Sequence, residues 1–275
     1  MADFGPPNQF SNVAHKLVYD QNRESVLFVK VLRRPHCHQR VINYLTKNLK
    51  KTAAQADAIV STPFCATGFI IKQDEDHTFV LTCCHLLKEF YTNDEVLTLL
   101  ASMFKFMIVC CHNEIYMEEN YPDLYNLDRD PRNYTKAQVV KLDQSRDLLL
   151  LQIDLADLHG TLYADHCLYP HPPLQLAKHQ SAQLDDVVMI SWPSLRRGTV
   201  VIGQVVNHRS YSQITADRSM GYNMELVELN IIGEKGTSGS PILNLSGDVV
   251  ALYHARLNGK GYAVSLAEIY AFIYN

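Results

Sequence analysis

What most constrains this chain is the length of its apolar runs. Each is strand-sized and stops at a cluster of turn-forming residues. Runs rich in β-branched and aromatic residues cover 25–32, 68–71, 78–82, 103–110, 135–142 and 147–153, and then 186–191, 199–206, 224–229, 242–245, 248–253 and 261–265. Short runs of this kind bounded by Gly, Pro, Asn and Asp read as β-strands. Between the two groups lies Leu168-Tyr169-Pro170-His171-Pro172-Pro173, whose prolines interrupt any regular element and mark a lobe boundary. The expected fold is therefore all-β, as two packed barrels or sandwiches, with one lobe over 23–165 and a second over 166–275.

Four stretches stand outside this texture. Residues 1–22 are polar and contain Pro and Asn, and are expected to form a loose N-terminal arm. Near 38–60, Val41, Ile42, Leu45 and Leu49 recur at helical spacing with lysines beyond them, predicting one added surface helix. Residues 113–134 have no apolar period and read as a long surface loop. A terminal helix is expected over 266–275.

Composition excludes several function classes. A net charge of −4 and a pI near 6.3 give no electrostatic case for nucleic acid or an anionic membrane as partner. No apolar run approaches the roughly 18–20 residues that a spanning helix needs. The N-terminus lacks the basic and apolar regions of a secretory signal. With seven cysteines, an odd number, reduced thiols and an intracellular location, cytoplasm or nucleus, are the expectation. Cys83-Cys84-His85, Cys110-Cys111-His112 and His36-Cys37-His38 raise the question of zinc. Adjacent residues of a strand face opposite sides, so each motif lends at most one thiol plus its His to a single site. No Cys-x-x-Cys spacing occurs, and neither metal nor other cofactor is expected.

The chemistry centres on Gly236-Thr237-Ser238-Gly239-Ser240-Pro241, between two apolar runs. A small hydroxyl residue flanked by glycines is either a tight turn or a nucleophile loop, in which backbone amides converge on one point. A serine nucleophile needs an imidazole to take its proton and a carboxylate to orient that imidazole. His85 directly follows the run 79–82 through Cys83-Cys84, and Asp147 opens the run of leucines 148–151. A carboxylate at the mouth of so apolar a strand requires a partner. Asp143 is the rival acid, with no apolar run directly after it.

Cys65-Ala66-Thr67-Gly68-Phe69, His85 after its strand, Arg146-Asp147 before its leucines and the Ser238 loop, in that order, resemble the trypsin/chymotrypsin-type serine proteases. Residues 187–193 and 199–205 are similar to the second barrel of the HtrA/Deg-like branch. The resemblance implies a chymotrypsin-like double barrel of six-stranded antiparallel type with the helix near 38–60 added. It implies an endopeptidase acting on polypeptides, with Ser238 as nucleophile, His85 as general base and acid, and Asp147 as orienter. The amides of Gly236 and Ser238 would form the oxyanion hole. Ile232 would lie at the base of the primary pocket, Tyr253, His254, Ala255 and Arg256 on the substrate-pairing strand, and Gly261 on an open opposite wall. With no acid at that base, an apolar or medium-sized P1 residue is expected. His254 is either a partner of Asp147 or an ordinary polar residue on a half-buried strand. Thr237 before the nucleophile and Leu86 after the His depart from the secreted digestive enzymes, which carry an aspartate and a cysteine there. The competing reading is a catalytically silent protease-like fold that binds other proteins.

Overall fold

The computed structural model describes residues 9–91, 94–110, 112, 135–155, 170–193, 198–216 and 219–275. Its strands form two closed antiparallel barrels. The first comprises β1 (Val26–Arg33), β2 (Phe64–Gln73), β3 (His77–Cys83), β4 (Phe104–Cys110), β5 (Thr135–Asp143) and β6 (Leu148–Asp154), in the order β1-β2-β3-β6-β5-β4. It closes because β1 pairs on both edges, Val29 standing opposite Ala66 on one side and Ile108 on the other. The second comprises β7 (Asp186–Ser191), β8 (Thr199–Ser210), β9 (Glu225–Leu229), β10 (Pro241–Leu243), β11 (Val249–Leu257) and β12 (Lys260–Ser265), in the order β10-β11-β12-β9-β8-β7. Every apolar run named above overlaps one of these strands. Among the described residues each strand has a partner on both sides, so neither barrel has an edge strand of the kind all-β proteins must otherwise protect.

One apolar cluster fills the first barrel and continues into the second, where Phe28 meets Trp192 with ring centroids 6.2 Å apart. A second cluster, including Val187, Met189, Val227, Leu229 and Ile242, fills the other barrel. The two barrels are also stitched by polar groups at Thr67 on β2. Its N–H donates to the Ser238 carbonyl at 2.9 Å, and its hydroxyl donates to the Gly236 carbonyl at 2.9 Å. The same hydroxyl accepts the Trp192 N–H at 2.8 Å.

Two expectations are revised. The arm expected at 1–22 contains helix α1 (Gln9–Asn22). His15 and Val18, three positions apart, turn to one buried face, a period overshadowed in the sequence by the preceding prolines. The single helix near 38–60 is two, α2 (His38–Lys47) and α3 (Ala53–Ser61). Lys50 between them adopts φ 55°, the left-handed conformation that terminates helices, and Thr52 caps α3 in a reciprocal box with Gln55. The loop 113–134 and the lobe boundary at 165/166 lie outside the described residues. Helix α4 (Asp94–Ala101) precedes β4, the short α5 (Tyr211–Ile214) follows β8, and α6 (Leu266–Tyr274) ends the chain as expected. Ser265 caps α6.

Because Thr67 satisfies two otherwise buried groups across the seam, Thr67→Val keeps shape and removes both bonds. Each orphaned buried group costs about 1–3 kcal/mol, so the variant is expected to lose about 2–6 kcal/mol in denaturant unfolding. A loss below about 0.5 kcal/mol, the usual scale of an exposed substitution, would contradict this role.

Candidate active site

Asp147 sits in the turn between β5 and β6 at φ 58°, with its N–H donating to the Gln144 carbonyl at 3.2 Å. Few residue types tolerate this left-handed conformation, and Asp is one of them. The turn drives the carboxylate inward until it is 0 % exposed. An isolated buried carboxylate is prohibitively costly, so its partners define the site. Four donors surround it. The His85 N–H reaches Oδ1 at 2.7 Å, and the Tyr91 hydroxyl donates to the same oxygen at 3.3 Å. His85 Nδ1 lies 2.7 Å and His254 Nδ1 2.5 Å from Oδ2. A carboxylate only accepts, so both imidazoles carry a proton on Nδ1. Burial on its own would raise the Asp147 pKa, but the charge of His85 and His254 and their hydrogen bonds outweigh it and hold the group well below the usual carboxylate range.

His85 lies in the 3₁₀ turn Cys84–Phe90 that leaves β3. Pairing of β3 with β6, Cys83 opposite Leu148, brings this turn beside Asp147. Its burial opposes protonation, yet the Asp147 carboxylate prevails and its pKa is raised well above the ordinary histidine value. With Nδ1 protonated, Nε2 is the basic nitrogen. It stands 3.7 Å from Cys83 Sγ, within reach of a weak thiol hydrogen bond.

Asp143 is occupied elsewhere. It pairs with Arg146 at 2.6 Å and accepts from the Ser145 hydroxyl at 2.7 Å. Arg146 also reaches Glu268 on α6 at 2.8 Å. This arrangement anchors the turn that presents Asp147.

Ser238 lies in a loop whose shape depends on glycine at one point above all. Gly239 has φ 84°, and a Cβ there would stand 2.1 Å from the Thr67 carbonyl oxygen. The Ser238 hydroxyl donates to the His254 carbonyl at 3.1 Å. Among the described residues, neither the Gly236 N–H nor the Ser238 N–H donates to a protein acceptor. The neighbouring Thr237 N–H, Gly239 N–H and Ser240 N–H donate to Glu234, Tyr253 and Thr237 carbonyls. His85, Ser238 and His254 share one cleft of about 870 Å³, also lined by Tyr91, Tyr222, Tyr253, Ala255 and Arg256.

His254 owes its position to a β-bulge. Tyr253 pairs with Ala263 and Ala255 with Tyr262, which leaves His254 as the extra residue on β11. Bulges re-aim a side chain, and here the imidazole turns toward Asp147 with 4 % exposure. Tyr222 stands edge-on to it, with ring centroids 5.1 Å apart. Sequence reasoning did not single out Tyr91 or Tyr222. Neither belongs to a motif, and their only sequence signal is aromatic character in a turn-rich stretch.

The expected pocket residues divide. Tyr253, His254, Ala255 and Arg256 line the cleft; Ile232 and Gly261 do not. Ile232 is 47 % exposed rather than set at a pocket base. Gly261 packs tightly instead of keeping a wall open: a Cβ there would stand 2.0 Å from the Ile231 carbonyl oxygen and 3.1 Å from the Tyr253 ring. The Tyr253 ring fills this space, and its hydroxyl accepts the Gly233 N–H at 2.8 Å.

Comparison with known proteins agrees with this architecture. A trypsin-like peptidase domain model matches residues 66–252. The Rv3671c protease of M. tuberculosis in its active form superposes with a TM-score of 0.61 at 16 % identity, over 95 % of this chain and 84 % of that one. The inactive form of the same protease gives 0.57 at 16 % identity, over 99 % and 98 %. Deg5 gives 0.57 at 14 % identity, over 96 % of each chain. No curated protein sequence matches. The chain belongs to the trypsin-like peptidase domain family and is a serine-type peptidase of chymotrypsin-like double-barrel fold.

Proposed function

We propose that the protein is an endopeptidase that cleaves polypeptides through Ser238, His85 and Asp147. The observation that carries this reading is the buried Asp147–His85 pair, whose imidazole lines the cleft that Ser238 also lines. In the reaction, the Ser238 hydroxyl leaves the His254 carbonyl for His85 Nε2. Catalytic hydrogen bonds are often unmade in a free enzyme and form in the Michaelis complex. As Oγ attacks the scissile carbonyl, its proton passes to Nε2, and Asp147 stabilises the imidazolium. The unengaged N–H groups of Gly236 and Ser238 receive the developing oxyanion, where one donor is typically worth about 2.7–4 kcal/mol. His85 then protonates the leaving amine, and water resolves the acyl-enzyme by the same route. His254 and Tyr91 hold the carboxylate in place and are positioning residues.

A silent, partner-binding fold is the second reading, favoured by one observation: the Ser238 hydroxyl is bonded to the His254 carbonyl and not to His85. The Asp147 environment argues for the enzyme, because a silent fold gains nothing from burying a carboxylate under two imidazoles.

Tyr253 bears on specificity. Its buried ring against Gly233 and Gly261 shortens the primary pocket, so the preferred P1 residue is Gly or Ala, smaller than the apolar or medium-sized residue expected from sequence. In a peptide-library digest, Tyr253→Val is expected to raise the kcat/KM ratio of Leu over Ala at P1 by at least about tenfold, the scale of one to a few methylenes of pocket space. An unchanged ratio in folded variant would contradict the assignment.

The raised His85 pKa also has a direction to test. The base works only when neutral, so kcat/KM of a peptide substrate should rise with pH through a midpoint above the ordinary histidine value. Asp147→Asn removes the charge that favours imidazolium, leaving burial to dominate. Its midpoint should move to lower pH, and kcat should fall about 10⁴-fold, as for triads generally. A midpoint unmoved by Asp147→Asn would remove His85 from the role of base.

A further inference from the structure

Away from the cleft, four residues from three separate segments converge. Cys110 ends β4, His112 follows two positions later, His171 lies in the segment that leads toward the second barrel, and Glu24 lies just before β1. Cys110, His112 and His171 each offer a ligating atom, and these atoms lie within 4.8 Å of one another. Cys110 is 4 % and His171 2 % exposed. The His112 and His171 rings have centroids 5.1 Å apart. None of the four lines the cleft of Ser238.

We propose that these residues form a structural zinc site, with Cys110 Sγ, His112 Nε2, His171 Nε2 and the Glu24 carboxylate as its tetrahedral ligands. The hydrogen bonding determines which atoms are presented. His171 Nδ1 is 2.6 Å from the Glu24 backbone carbonyl, which only accepts. Nδ1 is therefore protonated, and in the neutral ring the lone pair is on Nε2. A backbone carbonyl that fixes the tautomer of a ligating histidine is the usual companion of zinc-bound imidazole. Glu24 Oε1 stands 3.2 Å from His112 Nε2, an edge that fits two ligands of one tetrahedral ion. With zinc–ligand bonds of about 2.0–2.3 Å, such edges are about 3.5 Å, so the Cys110, His112 and His171 atoms, within 4.8 Å of one another, close inward when the ion enters and the Glu24 side chain turns in from His112 to complete the set. Thiolate and imidazole with one carboxylate suit zinc better than calcium or magnesium, which take oxygen ligands. On binding, the Cys110 thiol loses its proton to solvent.

The sequence shows only half of this, Cys110 and His112 two positions apart at the end of β4 and just beyond it. The other half comes from Glu24 and His171, brought in by the fold. The same neighbourhood is already fastened by the Ser25 hydroxyl, which donates to the Pro172 carbonyl at 2.5 Å. Among the described residues Cys37, Cys65, Cys83, Cys84 and Cys110 form no disulfide. A zinc clip there would join the start of the first barrel, its fourth strand and the segment leading to the second, the kind of cross-link a disulfide supplies elsewhere.

The test uses untagged full-length protein purified without metal-affinity resin. Elemental analysis is expected to find about one zinc per chain, as a closed structural site holds. X-ray absorption at the zinc edge should show one sulfur ligand with nitrogen and oxygen completing the set. Chelation should lower the Tm of wild type and leave that of Cys110→Ser unchanged. Cobalt substituted into wild type should give a thiolate-to-metal charge-transfer band, which does not depend on whether any variant folds. Metal-free wild type that fails to take up added zinc, zinc without a sulfur ligand, or full zinc content in Cys110→Ser would each overturn the proposal.

Discussion

The buried carboxylate of Asp147 is the constraint on which the rest of the site depends. A charged group that is 0 % exposed is stable only if its lone pairs are filled, and four donors from three residues fill them. Each donor imposes a structural condition. The left-handed φ of Asp147 points the carboxylate inward; the 3₁₀ turn after β3 brings His85 by both its N–H and its ring. The bulge in β11 spends a ladder position to deliver His254. Removing one partner of such a group typically costs about 3–5 kcal/mol because a buried charge is left uncompensated. The carboxylate thereby couples folding to the site: the contacts that make its burial tolerable also hold the proton of His85 on Nδ1.

Each barrel alone holds only part of the site. His85 and Asp147 come from the first barrel, and Ser238 and His254 from the second. Their register across the seam rests on direct backbone bonds, not on side-chain packing alone. Thr67 grips the carbonyls of both Gly236 and Ser238, whose own N–H groups have no protein acceptor among the described residues. The absence of a side chain at Gly239 is what permits this approach, since the Thr67 carbonyl occupies the space a Cβ would need. A loop held by its carbonyls, with its amides unengaged, is preorganised for an anion, and such preorganisation costs nothing at the moment of reaction.

Much of this was legible in the sequence. The twelve strands announced themselves because strand-length apolar runs are local signals, and the order His85, Asp147, Ser238 emerged from their positions at strand ends. The turn of Asp147 also separated it from Asp143, whose ion pair with Arg146 gives it a structural occupation. What was hidden depends on long-range geometry. A bulge at His254 is created by the mismatch between β11 and β12 and leaves no mark in β11 itself. Tyr91 and Tyr222 acquire meaning only beside the carboxylate. Ile232 and Gly261 were assigned by family pattern, and the bulk of Tyr253 overrode that pattern by filling the space between Gly233 and Gly261. The helix over residues 9–22 was obscured because the prolines before it dominate the local composition, although His15 and Val18 carry its buried face.

The central claim is that Ser238 is a nucleophile activated by His85 under the control of Asp147. Its most direct test is covalent: reaction with a fluorophosphonate probe, followed by mass mapping of the adduct. The account predicts one adduct, on Ser238, absent from Ser238→Ala and strongly slowed in His85→Ala. Folded wild type that takes up no probe, or an adduct carried by another residue, would contradict it.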